Sequence, residues 1–271
     1  MGDAGFSSAI AQLQTMGPTL SDKPSNLLEP INLHDPAQFA ELQRHRILCG
    51  WKHQDKYLLA WRAAVDAGTL AIFWILLPPN TDTMQPPADR RVGHIAMERI
   101  TYAPESPSLP FAPPGGENDP VEAMDLNTFF ILPEFRRLGL GRRAVAEMER
   151  LATVEPYGWR GCRAMTLNTF ARKYVEEDEL RAVAEGPYVA MGEGIEYPAK
   201  GTGNEDWYGR MGYATWKVVP TYHVPWPREK GGNERGEYVF DAAWMWKGLA
   251  SELADICSSQ PCLDYVPMVR A

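Results

Sequence analysis

Arg136, Gly139 and Gly141 are spaced so that they can do chemistry together, and that chemistry is anion binding. They lie in the run Phe129-Phe130-Ile131-Leu132-Pro133-Glu134-Phe135-Arg136-Arg137-Leu138-Gly139-Leu140-Gly141-Arg142-Arg143, which reads as an apolar strand, a turn and the start of a helix. The helix follows from Leu140, Ala144, Val145, Met148, Leu151 and Ala152, which fall on one face at helical spacing. Such a turn presents unpaired backbone N–H groups at a helix N-terminus, with the helix dipole behind them. Gly139 and Gly141 let the backbone bend and admit a phosphate without meeting a Cβ. Arg136, Arg137, Arg142 and Arg143 add positive charge, although the same residues would also build an ordinary strand–turn–helix with a basic helix start.

Two better-known phosphate motifs fit less well. Gly139-Leu140-Gly141-Arg142-Arg143-Ala144 matches G-x-G-x-x-A, but Pro133 to Leu138 separate it from the strand. The next strand also ends near Asn168 without the carboxylate that a dinucleotide site needs about 20 residues on. No Gly-Lys-Ser/Thr follows, so the nucleotide-hydrolase loop is absent. The five histidines are scattered, and Cys49, Cys162, Cys257 and Cys262 have no metal-ligand spacing, so no metal site is expected. No Ser/His/Asp or cysteine-nucleophile arrangement is signalled either.

Ile131-x-Pro133-x-x-Arg136-x-x-Gly139-x-Gly141 resembles the acetyl-CoA signature of the GNAT N-acetyltransferase superfamily, V-x-P-x-x-(Q/R)-x-x-G-x-(G/A), with Ile131 standing for Val. A second block, Trp207-Tyr208-Gly209-Arg210-Met211-Gly212-Tyr213, is similar to the superfamily's F-Y-x-x-x-G-F. Together the matches span residues 90–215. The resemblance implies an acyl-CoA N-acyltransferase fold: an α/β architecture with a mixed central sheet of about six to seven strands flanked by helices. It also implies acetyl-CoA as cosubstrate and direct transfer of an acetyl group to a primary amine in a ternary complex.

That chemistry needs a grip on a diphosphate, alignment of the pantetheine arm, a neutral amine, and a proton for the departing thiolate. The resemblance assigns the first two to Phe129, Phe130, Ile131, Arg136, Arg137, Leu138, Gly139, Leu140, Gly141 and Arg142, with Asn204 from the second block. Backbone donors there serve proximity rather than covalent catalysis. Tyr208 stands where the superfamily places a general acid; a phenol of pKa near 10 can protonate a thiolate whose thiol has pKa near 8.5. Asp125 is the candidate base, expected on one strand face with Asn127, Phe129 and Ile131, while Glu122 and Glu98 compete with it. The expected acceptor is a small-molecule amine. The alternatives are a protein lysine or N-terminus, or a catalytically silent CoA-binding module.

Composition bounds these readings. The 271 residues are 45% hydrophobic, enough for a substantial core. A net charge of −8 disfavours general nucleic-acid binding and suits a cationic substrate. No apolar run reaches membrane-helix length, and Met1-Gly2-Asp3-Ala4 lacks the basic and apolar regions of a secretion signal. The cysteines read as free thiols of a reducing, cytoplasmic compartment, with a Cys257–Cys262 bridge as the minor option.

The elements that must position the site follow in order. Residues 1–25 read as a flexible lead, 26–250 as one domain and 251–271 as a tail. A strand is expected over Asn26 to Leu33. A helix then starts at Asp35-Pro36, carries Phe39, Leu42 and Ile47, and stops near Gly50. A second helix presents Tyr57, Leu58, Trp61, Ala64 and Val65 and ends at Gly68. Strands follow over Thr69 to Leu77, Val92 to Ile100, Glu122 to Leu132 and Cys162 to Leu167. A charged helix over Ala171 to Ala184 is expected to end at Gly186-Pro187. Ala214 to Pro220 and Glu237 to Trp246 close the sheet, with Lys247 to Ile256 as a short helix or tail.

Two segments exceed what the resemblance accounts for. The Pro-rich stretch 101–121 carries Tyr102, Glu105, Phe111 and Glu117, and its prolines exclude a helix or a central strand. Residues 170–203 carry Glu185, Tyr188, Glu193, Tyr197 and the glycines 192, 194, 201 and 203. Both are expected to reach the acceptor mouth, either as its walls or as surface loops.

Overall fold

The computed structural model describes residues 26–78, 90–102, 121–189, 196–227 and 235–249. The expected N-terminal lead, most of the Pro-rich stretch with Glu105, Phe111 and Glu117, Gly192, Glu193 and Gly194, the tail, and Cys257 and Cys262 lie outside the described residues.

The elements run β1 (Leu28–Pro30), α1 (Pro36–Cys49), α2 (Asp55–Asp66), β2 (Leu70–Leu76), β3 (Arg91–Tyr102), β4 (Val121–Ile131), α3 (Leu140–Leu151), β5 (Ala164–Phe170), α4 (Lys173–Glu176), α5 (Asp178–Val189), α6 (Asn204–Gly209), β6 (Ala214–Pro227) and β7 (Arg235–Gly248). The strands form one seven-stranded mixed sheet in the order β1-β2-β3-β4-β5-β7-β6. Its pairs are antiparallel except β4–β5, which is parallel because α3 crosses over between them. This is the α/β architecture expected from the sequence.

Local signals explain the frame. The Asp35 carboxylate accepts from the Ala37 N–H at 2.9 Å and Pro36 opens α1. Gly50, at φ 81°, closes α1 by donating to the Arg46 and Ile47 carbonyls. Two apolar layers sandwich the sheet. On one face Leu42 and Leu58 of α1 and α2 pack on Ile72, Trp74, Leu76 and Ala96. On the other, Leu140, Ala144, Val145, Met148 and Leu151 of α3 pack on Met97, Met124, Leu126, Met165 and Leu167. Each fully buried large aliphatic side chain there is worth about 1.5–3 kcal/mol.

Several boundaries differ from expectation. Ile47 is 48% exposed; Leu42 shares its face with His45 and Arg46, three and four residues on, and both of these are buried. β5 begins at Ala164 rather than Cys162, whose N–H is taken by the Trp159 carbonyl in the preceding turn. The helix expected over Ala171 to Ala184 breaks at Glu177, which is extended (φ −88°, ψ 116°). Its second piece, α5, runs past Gly186-Pro187 to Val189, although Pro187 has no N–H to give to the helix. β6 and β7 are longer than expected, and Lys247 is a strand residue opposite Met165 rather than the start of a helix.

Candidate functional site

The sheet opens where β4 leaves β5. Cross-strand pairs join them only at Met124–Met165 and Asp125–Thr166; beyond these, β5 stays with β7. A bulge in β4 accompanies the opening. Opposite β3, Ala96 pairs with Asn127 but His94 pairs with Phe130, so β4 holds one extra residue. Thr128 absorbs it at φ 55°, and its hydroxyl donates to Asn127 Oδ1 at 2.9 Å. The bulge reverses the side-chain alternation. Asp125 and Asn127 share a face with Phe130, which meets His45 and His94 on the α1 side. Phe129 and Ile131 turn to the α3 side. The expectation that Asp125, Asn127, Phe129 and Ile131 share one face is therefore corrected: strict alternation cannot cross a bulge.

The turn after β4 leaves backbone donors unpaired. A 3-10 turn, Pro133–Phe135, leads to Arg137 at φ 65° and to Gly139 at φ 76°, which caps α3. The N–H groups of residues 137–142 donate to no backbone carbonyl. Arg136 braces the turn: its Nε donates to the Ile131 carbonyl at 3.0 Å and its guanidinium lies over Phe130. Arg137, Leu138 and Arg142 are exposed, whereas Leu140 is buried and can offer only its backbone. Nothing lies within 4 Å of where a Cβ on Gly139 would sit, so the chain is open to a ligand there. A Cβ on Gly141 would come within 3.1 Å of Phe129 and 3.3 Å of Trp207. Those two rings stack at 5.8 Å and join the end of β4 to α6. Asn204 is exposed at the first position of α6, one turn before Tyr208. A run of free N–H donors flanked by exposed arginines fits the diphosphate of coenzyme A.

Asp125 is buried at the apex of the opening. Burial pushes its carboxyl up to about 7; the Thr166 hydroxyl, donating to Oδ1 at 2.9 Å, opposes this, and Glu98 across the strand pair adds to it. Glu98 accepts from Asn127 Nδ2 at 3.4 Å, and Glu122 is tied to Arg99 on the surface at 2.9 Å. Tyr208 is buried on α6 between Trp207 and Tyr213. Burial, and then the charge of Asp125, hold its hydroxyl protonated well above the ordinary phenol value. Asp125 and Tyr208 therefore share one electrostatic environment, although one stands on β4 and the other on α6.

Sequence reasoning missed several residues. Tyr222 of β6 donates to Asn168 Oδ1 at 2.5 Å, and burial followed by the charge of Asp125 raises its own pKa. Thr166, Asn168 and Tyr222 carry no local signal; the β5-β7-β6 order brings them together. A surface cleft of about 620 Å³ lies elsewhere, lined by Arg172, Lys173, Glu176, Glu205 and Arg210 and by neither Asp125 nor Tyr208. The Arg172 guanidinium there pairs with Asp206 at 3.5 Å, and the Arg172 backbone N–H donates to Glu205 Oε2. Among the described residues, no group of His, Cys, Asp and Glu could hold a metal ion, and no helix is long and apolar enough to cross a membrane. Cys49 and Cys162 are free thiols.

No family profile matches the chain, and neither does any curated protein. Solved structures do resemble it in chain path. NAA60 of Arabidopsis thaliana, in complex with a bisubstrate analogue, is 14% identical, with 82% of this chain and 98% of that one covered at a TM-score of 0.47. Naa20 of Chaetomium thermophilum, also with a bisubstrate analogue, is 14% identical, with 84% and 88% covered at 0.43. The aminoglycoside 6'-N-acetyltransferase from Enterococcus faecium is 14% identical, with 82% and 97% covered at 0.43.

Proposed function

We propose that this chain is an acetyl-CoA-dependent N-acetyltransferase that transfers an acetyl group directly to the amine of a small molecule. The observation that carries the reading is the opening between β4 and β5. The anion-binding turn lies beyond its β4 side, and Asp125 stands at its apex in one electrostatic environment with Tyr208. Acetyl-CoA supplies an activated acetyl thioester. The free N–H groups of residues 137–142 hold its diphosphate, and the backbone of Phe129 to Ile131 lies along the path of its arm. Leu138, Arg142 and Asn204 border that path, with exposed side chains.

In the transfer, the amine nitrogen bonds to the acetyl carbon, the carbon–sulfur bond breaks, and the amine loses a proton. Asp125 accepts that proton, directly or through a water. A carboxyl near 7 is a far stronger base than an ordinary aspartate and is substantially ionised at neutral pH. Tyr208 keeps its proton until a thiolate develops, and then donates it. Neither step requires a covalent enzyme intermediate.

The test is a thiol-release assay with acetyl-CoA and a panel of amines, with the acetylated product identified by mass spectrometry. Amine-dependent thiol release with an N-acetyl product is expected. Tight acetyl-CoA binding without turnover of any amine would reduce the chain to a CoA-binding module.

A further inference from the structure

Four aromatic rings from four separate elements meet beyond the Asp125–Thr166 pair, along β5. Trp51 comes from the loop after α1, Phe170 from the end of β5, Tyr188 from α5 and Tyr222 from β6. The ring centres of Phe170 lie 4.5 Å from Tyr222, 5.0 Å from Tyr188 and 6.3 Å from Trp51, and Trp51 lies 5.5 Å from Tyr222. The planes are inclined by 38° to 63° to one another, so the rings form an inclined cluster rather than a stack. All four remain partly exposed, whereas Phe240 behind them is fully buried.

The wall is held rigid. The Tyr222 hydroxyl donates to Asn168, and Tyr188 packs edge-on at 5.0 Å against Tyr197. The Tyr197 hydroxyl in turn donates to the Tyr174 carbonyl, and Arg181 lies over its ring. Tyr222 joins the wall to the reaction centre, because it donates to Asn168, two residues along β5 from the Thr166 that donates to Asp125.

We infer that Trp51, Phe170, Tyr188 and Tyr222 form the acceptor-binding wall, and that the acceptor class is a primary amine carried on a flat aromatic body. This rests on the acetyltransferase reading above. An amine whose nitrogen approaches Asp125 lays its substituent on these rings. A flat ring gains apolar contact and edge-to-face geometry there, and its ammonium form gains cation–π attraction on approach. A polycationic sugar would instead need carboxylates along the wall itself, whereas Trp51, Phe170, Tyr188 and Tyr222 present rings.

The experiment compares 2-phenylethylamine, propylamine, kanamycin and a short peptide with a free N-terminus as acceptors. It uses the full chain and its Tyr188→Ala and Tyr188→Phe variants, with acetyl-CoA affinity measured by calorimetry. For the wild type, kcat/KM should be highest for 2-phenylethylamine. Tyr188→Ala should raise KM for that amine about tenfold, corresponding to about 1.4 kcal/mol. It should raise KM for propylamine by much less and leave the acetyl-CoA affinity unchanged, and Tyr188→Phe should behave as wild type. Preference for kanamycin or the peptide, or an equal loss for every amine in Tyr188→Ala, would overturn the inference and leave acetyl transfer standing. Absence of acetyl-CoA binding by the wild type would remove the underlying reading as well.

Discussion

In the proposed reaction, burial divides the proton chemistry between Asp125 and Tyr208. Desolvation raises both, but it brings a carboxyl to about 7, where it can take a proton, and keeps a phenol charged with one. Activity should therefore rise with pH through about 7 as Asp125 ionises, and Asp125→Asn should remove that limb from the kcat/KM profile. The same shift has a cost in stability. Between about pH 4 and pH 7 the unfolded carboxyl is ionised while the folded one is protonated, so the folded state binds more protons and stability falls as pH rises. Asp125→Asn should be relieved of this loss, gaining a few kcal/mol on wild type across that window in denaturant titrations. Tyr208→Phe should lower kcat by about 10²–10⁴-fold with little change in acetyl-CoA affinity; turnover within a factor of about two would return Tyr208 to a packing role. Tyr208 and Asp125 were singled out in the sequence by motif spacing and by the strand before the turn, and the variants above test the roles proposed for them. Thr166, Asn168 and Tyr222 were not singled out, because their roles arise from pairing between β5, β7 and β6, which no short window of sequence encodes.

The bulge in β4 and the turn after it do the positioning. Thr128 holds φ 55°, a region that a β-branched residue adopts only when its surroundings compel it. Glycine can adopt that conformation freely and proline cannot. Thr128→Gly should therefore keep acetyl-CoA affinity and change stability by no more than about 1 kcal/mol. Thr128→Pro should abolish cofactor binding and destabilise the fold by about 3 kcal/mol or more; calorimetry and thermal melts of the two variants check this. Wild-type affinity in Thr128→Pro would show that the bulge is not what opens the sheet. Gly141→Glu should end acetyl-CoA binding by placing bulk and negative charge where phosphate sits and by forcing apart Phe129 and Trp207. The turn, α3 and the αL glycines could be read from glycine positions and helical spacing. The bulge could not, because the polar pair Asn127-Thr128 and the apolar run Phe129 to Ile131 carry no register of their own, and only the pairing with β3 shows the extra residue.

The seven-stranded sheet carries a helical layer on each face, and these faces divide the work. The α3 face holds the phosphate turn and the Phe129–Trp207 pair. The α1 face holds Asp125, and the ring wall stands where the loop after α1, α5 and β6 meet. The succession of elements along the chain was readable in advance, because hydrophobic period and breakers place each one. The extent of α5 and of the β6–β7 hairpin was not, since tertiary pairing carries those elements past their local stop signals. The central claim, that the opening between β4 and β5 takes acetyl-CoA, is tested most directly by thermal unfolding of the full chain with acetyl-CoA, NAD and ATP in parallel. Acetyl-CoA at about a hundred times its dissociation constant should add about 2.7 kcal/mol to stability, while NAD and ATP at the same concentration add far less. An unchanged melting temperature at millimolar acetyl-CoA, or an equal shift with NAD, would contradict it.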